Sequence, residues 1–136
     1  MLRSARMSAV LMLLFSMGPG HGQPPTLGTS APNVKRSILQ KVEVPSSNHE
    51  VTVALLDVGP NTRIGRHAHP GAVTCVVLDG AYTIALDGQP ERALKAGESV
   101  SIPSGVVHDE WTEAGPARLL VVYTLEKGKP LAIPAQ

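Results

Sequence analysis

From His49 to Glu126 the chain is a succession of short apolar and β-branched runs, cut at spacings of about ten residues by Gly, Pro, Asn and Asp. This punctuation constrains the fold more than any other feature. In "EVTVALLDV" an extended backbone puts Val51, Val53 and Leu55 on one face, because side chains alternate along a strand. "GPN" turns the chain. "TCVVLDG" and "AYTIALDG" read as two β runs parted by a glycine. "DGQP" after Leu86 signals a hairpin, since Asp-Gly favours a turn with positive φ at both central residues. "RALKAGESVSIP" carries a short strand, a turn at Ala96–Gly97 and a second strand ending at Pro103. "SGVVHDEWT" is a turn and a strand, and "ARLLVVYTLE" is the last long strand. No segment between 49 and 126 sustains a helical period. The expected fold is all-β, an antiparallel sandwich or barrel. The expected inward set is Val53, Leu55, Val77, Ile84, Ile102 and Val121, which predicts a modest apolar pocket suited to a small organic ligand.

The two ends read differently. Residues 1–22 carry Arg3 and Arg6, then the apolar "AVLMLLFSMG", then the small-residue stretch "GPGHG". That order is expected of a secretory signal peptide cleaved near Gly22–Gln23, and an uncleaved anchor is the plainer alternative. "QPPTLGTSAPN", residues 23–33, is expected to be a flexible linker. "VKRSILQKVEV" from Val34 reads as a first edge strand. The domain is expected over 34–130, with its barrel core at about 50–126. Residues 131–136, the end of "KGKPLAIPAQ", are expected to be a tail along the surface. The expected destination is periplasmic or secreted, with no membrane association expected after cleavage.

Without the leader's two arginines, 10 basic residues face 11 acidic ones. A near-neutral chain with no basic run and no aromatic platform gives nucleic acid nothing to bind. The single cysteine, Cys75, cannot close an intramolecular disulfide, so a small exported domain must rely on its core or on a partner subunit.

Chemistry concentrates in "GRHAHPGAVTCVVLDG", residues 65–80. His67 and His69 stand two apart, and on an extended backbone both rings face the same way. Two imidazoles so placed can grip one metal ion, and neutral imidazole suits Zn, Fe, Cu and Ni.

This stretch resembles the first motif of the cupins, with its glycine, His-x-His, glutamate and closing glycine. "GESVSIPSGVVH" resembles the second, with Gly97, Pro103, Gly105 and His108 on its named positions. The chain is thus similar to small, exported, single-domain cupins of the type 2 conserved barrel family. The resemblance implies a double-stranded β-helix, or jelly-roll barrel, over most of residues 34–130. There are three departures. Asn61 stands at the first motif's first glycine, a mild change because Asn tolerates left-handed backbone. Thr112 stands where the second motif ends in Asn. Val73 stands at the glutamate position, which leaves three histidines, His67, His69 and His108, as the implied ligand set for a divalent transition metal ion (Fe, Mn, Zn, Ni or Cu).

Three neutral ligands leave coordination positions open and leave the ion its full charge, which favours an anionic or chelating ligand. Glu110 shares the parity of His108. It is either a solvent-facing residue near a strand end, or the missing carboxylate and a proton carrier. Cys75 shares a face with His69 and Val73 and is either a small buried hydrophobe or an added thiolate ligand. Arg63 and Arg66 stand near the motif and could hold a substrate carboxylate, although Arg66 alternates with His67 and is expected to face outward. Tyr82, Trp111 and Tyr123 are expected to pack rather than stack on a ligand. Three functions follow: a metal-dependent enzyme such as a small-molecule dioxygenase, a barrel that binds metal or ligand without turnover, and a metal-free structural barrel. Pairing of edge strands into a homodimer is expected in each case.

Overall fold

The computed structural model describes residues 33–136. The expected leader, and the linker except for Asn33, lie outside the described residues. Nine strands form in this span: β1 Val34–Glu43, β2 His49–Val58, β3 His67–Ala68, β4 Gly71–Leu86, β5 Arg92–Lys95, β6 Ser99–Ile102, β7 His108–Trp111, β8 Ala117–Glu126 and β9 Ile133–Pro134. All pairings are antiparallel. One layer runs β1-β2-β8-β4-β6, and the other runs β5-β4-β7-β3-β9.

The two layers share β4. Its first half lies between β8 and β6, and its second half between β5 and β7. The two runs read on either side of Gly80 are therefore one strand that changes sheets. A register shift between Val77 and Asp79 gives the bend. Gly80 completes it at φ +73°, and a Cβ there would overlap the Pro116 carbonyl oxygen. The sheet curls into the expected cupin barrel.

The core follows the alternation of β8, whose Ala117, Leu119, Val121, Tyr123 and Leu125 all point inward. Register then sets the parity of β2. Ala54 opposes Val121 and Leu56 opposes Leu119, so Thr52, Ala54, Leu56 and Val58 are its buried residues. Val51, Val53 and Leu55 do share a face, but it is the outer, half-buried one. The expectation of Val53 and Leu55 inside is corrected. Both faces of β2 are apolar, and cross-strand neighbours choose between them. Val77, Ile84, Ile102 and Val121 are buried as expected.

Local turn chemistry holds with one correction. Gly97 and Gly105 have φ of +89° and +76°, and Asn61 takes +49° at the position where a glycine is usual. At Asp87–Gly88 only the glycine is left-handed, at +80°, and Gln89 N–H donates to the Leu86 carbonyl. The turn has the type II pattern rather than positive φ at both centres. The C-terminal residues lie along the surface, but they are not a passive tail. β9 pairs with β3, the two-residue strand that carries His67.

Candidate metal centre

One strand pairing brings the distant histidine to the other two. β3 lies against β7, with His67 directly opposite His108. His69 follows β3 at the entry to β4. The ring centroids are 4.9 Å apart for His67 and His69, 4.2 Å for His67 and His108, and 5.0 Å for His69 and His108. One ligand nitrogen from each ring lies within 4.8 Å of the other two. His69 and His108 are buried and His67 is half-buried.

Each ring is oriented by the same device. Nδ1 of His67 contacts the Gly65 carbonyl at 2.8 Å, that of His69 the Leu131 carbonyl at 2.5 Å, and that of His108 the Val106 carbonyl at 3.0 Å. A carbonyl only accepts, so each Nδ1 carries the proton and donates. Each Nε2 is left with a bare lone pair. Burial drives all three rings toward the neutral form, His69 to about 4. His108 Nε2 is fully buried with no hydrogen-bond partner. An orphaned, buried, unprotonated nitrogen beside two similar rings fits a metal ligand, and three neutral imidazoles fit a divalent transition ion.

The wall around these rings is mixed. Leu56, Ile64 and Val121 form its apolar part, and Arg36, Cys75, Glu110 and Tyr123 its polar part. The cavity is only about 20 Å³, the size of a single water-sized group. The expected modest apolar pocket is corrected on two counts: its lining is partly polar, and its inner space is smaller than a small organic ligand. The edge strand β1 runs over the mouth, and its Val34 and Arg36 narrow it.

Glu110 is buried in this wall, so its reading as a solvent-facing residue is overturned. Its Oε1 lies 4.0 Å from His108 Nε2. Burial pushes its carboxyl up to about 7, the Asp109 charge adds to the rise, and Arg36 opposes it. Because His108 is neutral, the two do not form a true ion pair. Cys75 is buried in the wall as its parity predicts, but it is not among the three converging ligand groups. Burial raises its thiol pKa, which keeps it protonated.

The other expectations sort by their partners. Arg63 donates from Nε to Asp109 Oδ2 at 2.7 Å and stacks 4.7 Å from the Trp111 ring. Arg66 makes a two-pronged pair with Asp87 on the surface, facing outward as expected. Neither arginine lines the cavity. Tyr82 is packed in the core, and Tyr123 packs its ring against His69 at 5.5 Å between centroids.

Two residues of the site were missed by sequence reasoning. Arg36 sits in an edge strand with irregular alternation, where nothing local pointed inward. Asp109 lies between two motif residues, and its signal is its place in a strand whose first three residues are all buried. Its Oδ1 accepts from the Gly65 and Glu110 backbone N–H groups, so it ties the approach to His67 against β7. Thr112 takes over at the motif's final position. Its hydroxyl donates to the Gly59 carbonyl at 2.5 Å and accepts from Thr62 N–H at 3.1 Å, pinning the turn before β3.

Comparison with known proteins agrees with this architecture. No curated protein matches the sequence. Among solved structures, a cupin-like protein from Thermotoga maritima superposes with a TM-score of 0.62 at 25% identity, over 75% of each chain. The polyketide cyclase RemF from Streptomyces resistomycificus gives 0.61 at 23% identity, over 79% of this chain and 75% of its own. The DMSP lyase DddQ from Ruegeria pomeroyi gives 0.64 at 20% identity over 76% of this chain, which spans about half of that protein, 52%. The family profile described as Cupin domain matches residues 54–123, more than half of the sequence and the span that holds all three histidines. This chain belongs to the cupin family.

Proposed function

We propose that this cupin binds a divalent transition metal ion through His67, His69 and His108 and offers its open positions to a small ligand. The carrying observation is the shared orientation of the three rings: each Nδ1 is spent on a backbone carbonyl, and His108 Nε2 is buried without a partner. An ion held there would supply Lewis acidity, undiminished by any anionic ligand from the chain, because Val73 occupies the usual glutamate position. The barrel architecture itself is shared with proteins as different as a lyase and a polyketide cyclase.

Elemental analysis of the purified protein, beside His67→Ala and His108→Ala, tests the reading. Bound metal in the parent and its loss from both variants is the expected result. Equal metal in all three rules the site out.

The enzyme reading rests on Glu110, the one carboxyl in the cavity wall and close enough to the ligand set to hold or deliver a proton. A dioxygenase acting on small enols is its most specific form. Oxygen uptake by the iron-loaded protein over a panel of such enols tests it, and no uptake favours a barrel that binds without turnover. The leader-like residues 1–22 support export to the periplasm or medium. β1 ends the sheet path and exposes Ile38, Leu39 and Val42, which supports pairing of two copies along that edge. A monomer by light scattering would remove the dimer.

A further inference from the structure

We propose that Arg36 is the anion-recognition point of the metal cavity, and that the ligand is a small organic carboxylate held by Arg36 while its other donor reaches the three-histidine centre. The inference rests on the metal reading above and goes on to name the ligand class.

Arg36 reaches the cavity through register. It pairs with Leu56, which faces inward, so it lies on the inner side of β1 before the irregularity between Ile38 and Gln40. Its guanidinium carbon lies 5.9 Å from the centre of the Tyr123 ring, and the same ring packs against His69. One aromatic ring thus separates the cation from a member of the ligand set.

Of the other arginines of the barrel, three are committed, and Arg92, on β5, does not line the cavity. Arg63 is held by Asp109, Arg66 by Asp87 and Arg118 by Asp57. Arg36 makes no ion pair among the described residues, although it shares a cavity wall with Glu110. Its residue is exposed, so solvent and solutes reach it.

Charge completes the argument. A doubly charged ion on three neutral rings, with a guanidinium at the wall, leaves a net positive site that the single wall carboxyl, Glu110, offsets only in part. Val73 is buried where a ligating carboxylate would balance it. An anionic ligand meets that excess. Guanidinium presents paired N–H donors in a plane, which match the two oxygens of a carboxylate. The inner space of about 20 Å³ admits one small group beside the rings, so the rest of the ligand must lie at the mouth, where Arg36 stands.

The test uses the cobalt-loaded protein with malonate as the probe, read by calorimetry and by the visible cobalt spectrum. Malonate is expected to bind the parent and perturb the spectrum. Arg36→Gln is expected to weaken malonate binding about tenfold or more, with Arg36→Lys in between. Cobalt content and the ligand-free spectrum should stay as in the parent, and Arg118→Gln, at a surface pair, should bind malonate normally. Equal malonate affinity in Arg36→Gln and parent overturns the proposal, as does a cobalt-loaded parent that ignores malonate. A parent that takes up no cobalt refutes the metal reading itself, and this inference with it.

Discussion

Nδ1 of His69 donates to the backbone carbonyl of Leu131 across 62 residues of sequence. The C-terminal segment therefore fixes a ring of the metal centre. It is clipped at that contact and beyond it. Leu131 packs against the core, Ala135 N–H donates to the Arg66 carbonyl, and β9 lies along β3. Hydrogen bonds to ligand imidazoles set ring orientation and basicity, and their loss commonly weakens metal binding about 10–100-fold. A chain ending at Pro130 should keep its β-sheet circular dichroism and lose metal affinity by about that factor. Unchanged affinity in a competition titration would show that His69 needs no clip.

Asp109 and Arg63 form an ion pair whose halves are unequal. The aspartate side chain is 8% exposed and the arginine 62%. The carboxylate also accepts from two backbone N–H groups, while the guanidinium retains water. Removing the buried half strands those two donors, and removing the exposed half leaves the carboxylate still served. Asp109→Ala should cost about 2–3 kcal/mol of stability and Arg63→Ala about 1 kcal/mol or less. Urea denaturation of the two variants measures the asymmetry. Equal losses would mean that the ion pair, not the backbone anchoring, is what matters.

Much of the barrel was legible because its turns are local. Gly97, Gly105 and Asn61 announce left-handed backbone by residue type alone, and His67, His69 and His108 converge in space because register aligns β3 with β7. Features decided by long-range pairing were not legible. The inward face of β2 depends on which residues of β8 it meets, and a strand with Val53 and Leu55 on one side and Ala54 and Leu56 on the other carries no preference of its own. Arg63 and Arg66 are the histidines' cationic neighbours in sequence, while the arginine that lines the cavity is Arg36, brought there by β1. The Leu131 contact is made by a carbonyl, which every residue has, so no side chain could advertise it.

The cavity places two opposed titrations in one pH window. Burial lowers the three histidine pKa values, His69 to about 4, so in the metal-free protein the unfolded chain, with histidines near 6.5, binds more protons than the folded one. The stability the neutral rings contribute is complete above about pH 6.5 and declines as pH falls toward 4. His69 alone accounts for up to about 3 kcal/mol. Glu110 acts in the opposite sense. Its folded pKa is raised to about 7, so the folded protein holds a proton that the unfolded chain releases near 4.3, and stability falls as pH rises between those values. Three rings outweigh one carboxyl, so the chelator-treated protein should unfold at lower urea concentration at pH 5 than at pH 7. Glu110→Gln removes the opposing group. It should stabilise the protein at pH 8, where the parent carries a buried charge, have little effect near pH 4.5, and steepen the decline between pH 7 and 5. Urea midpoints of parent and variant at pH 8, 7, 5 and 4.5 measure all three effects, and a variant curve parallel to the parent's would mean that Glu110 titrates as an ordinary exposed glutamate.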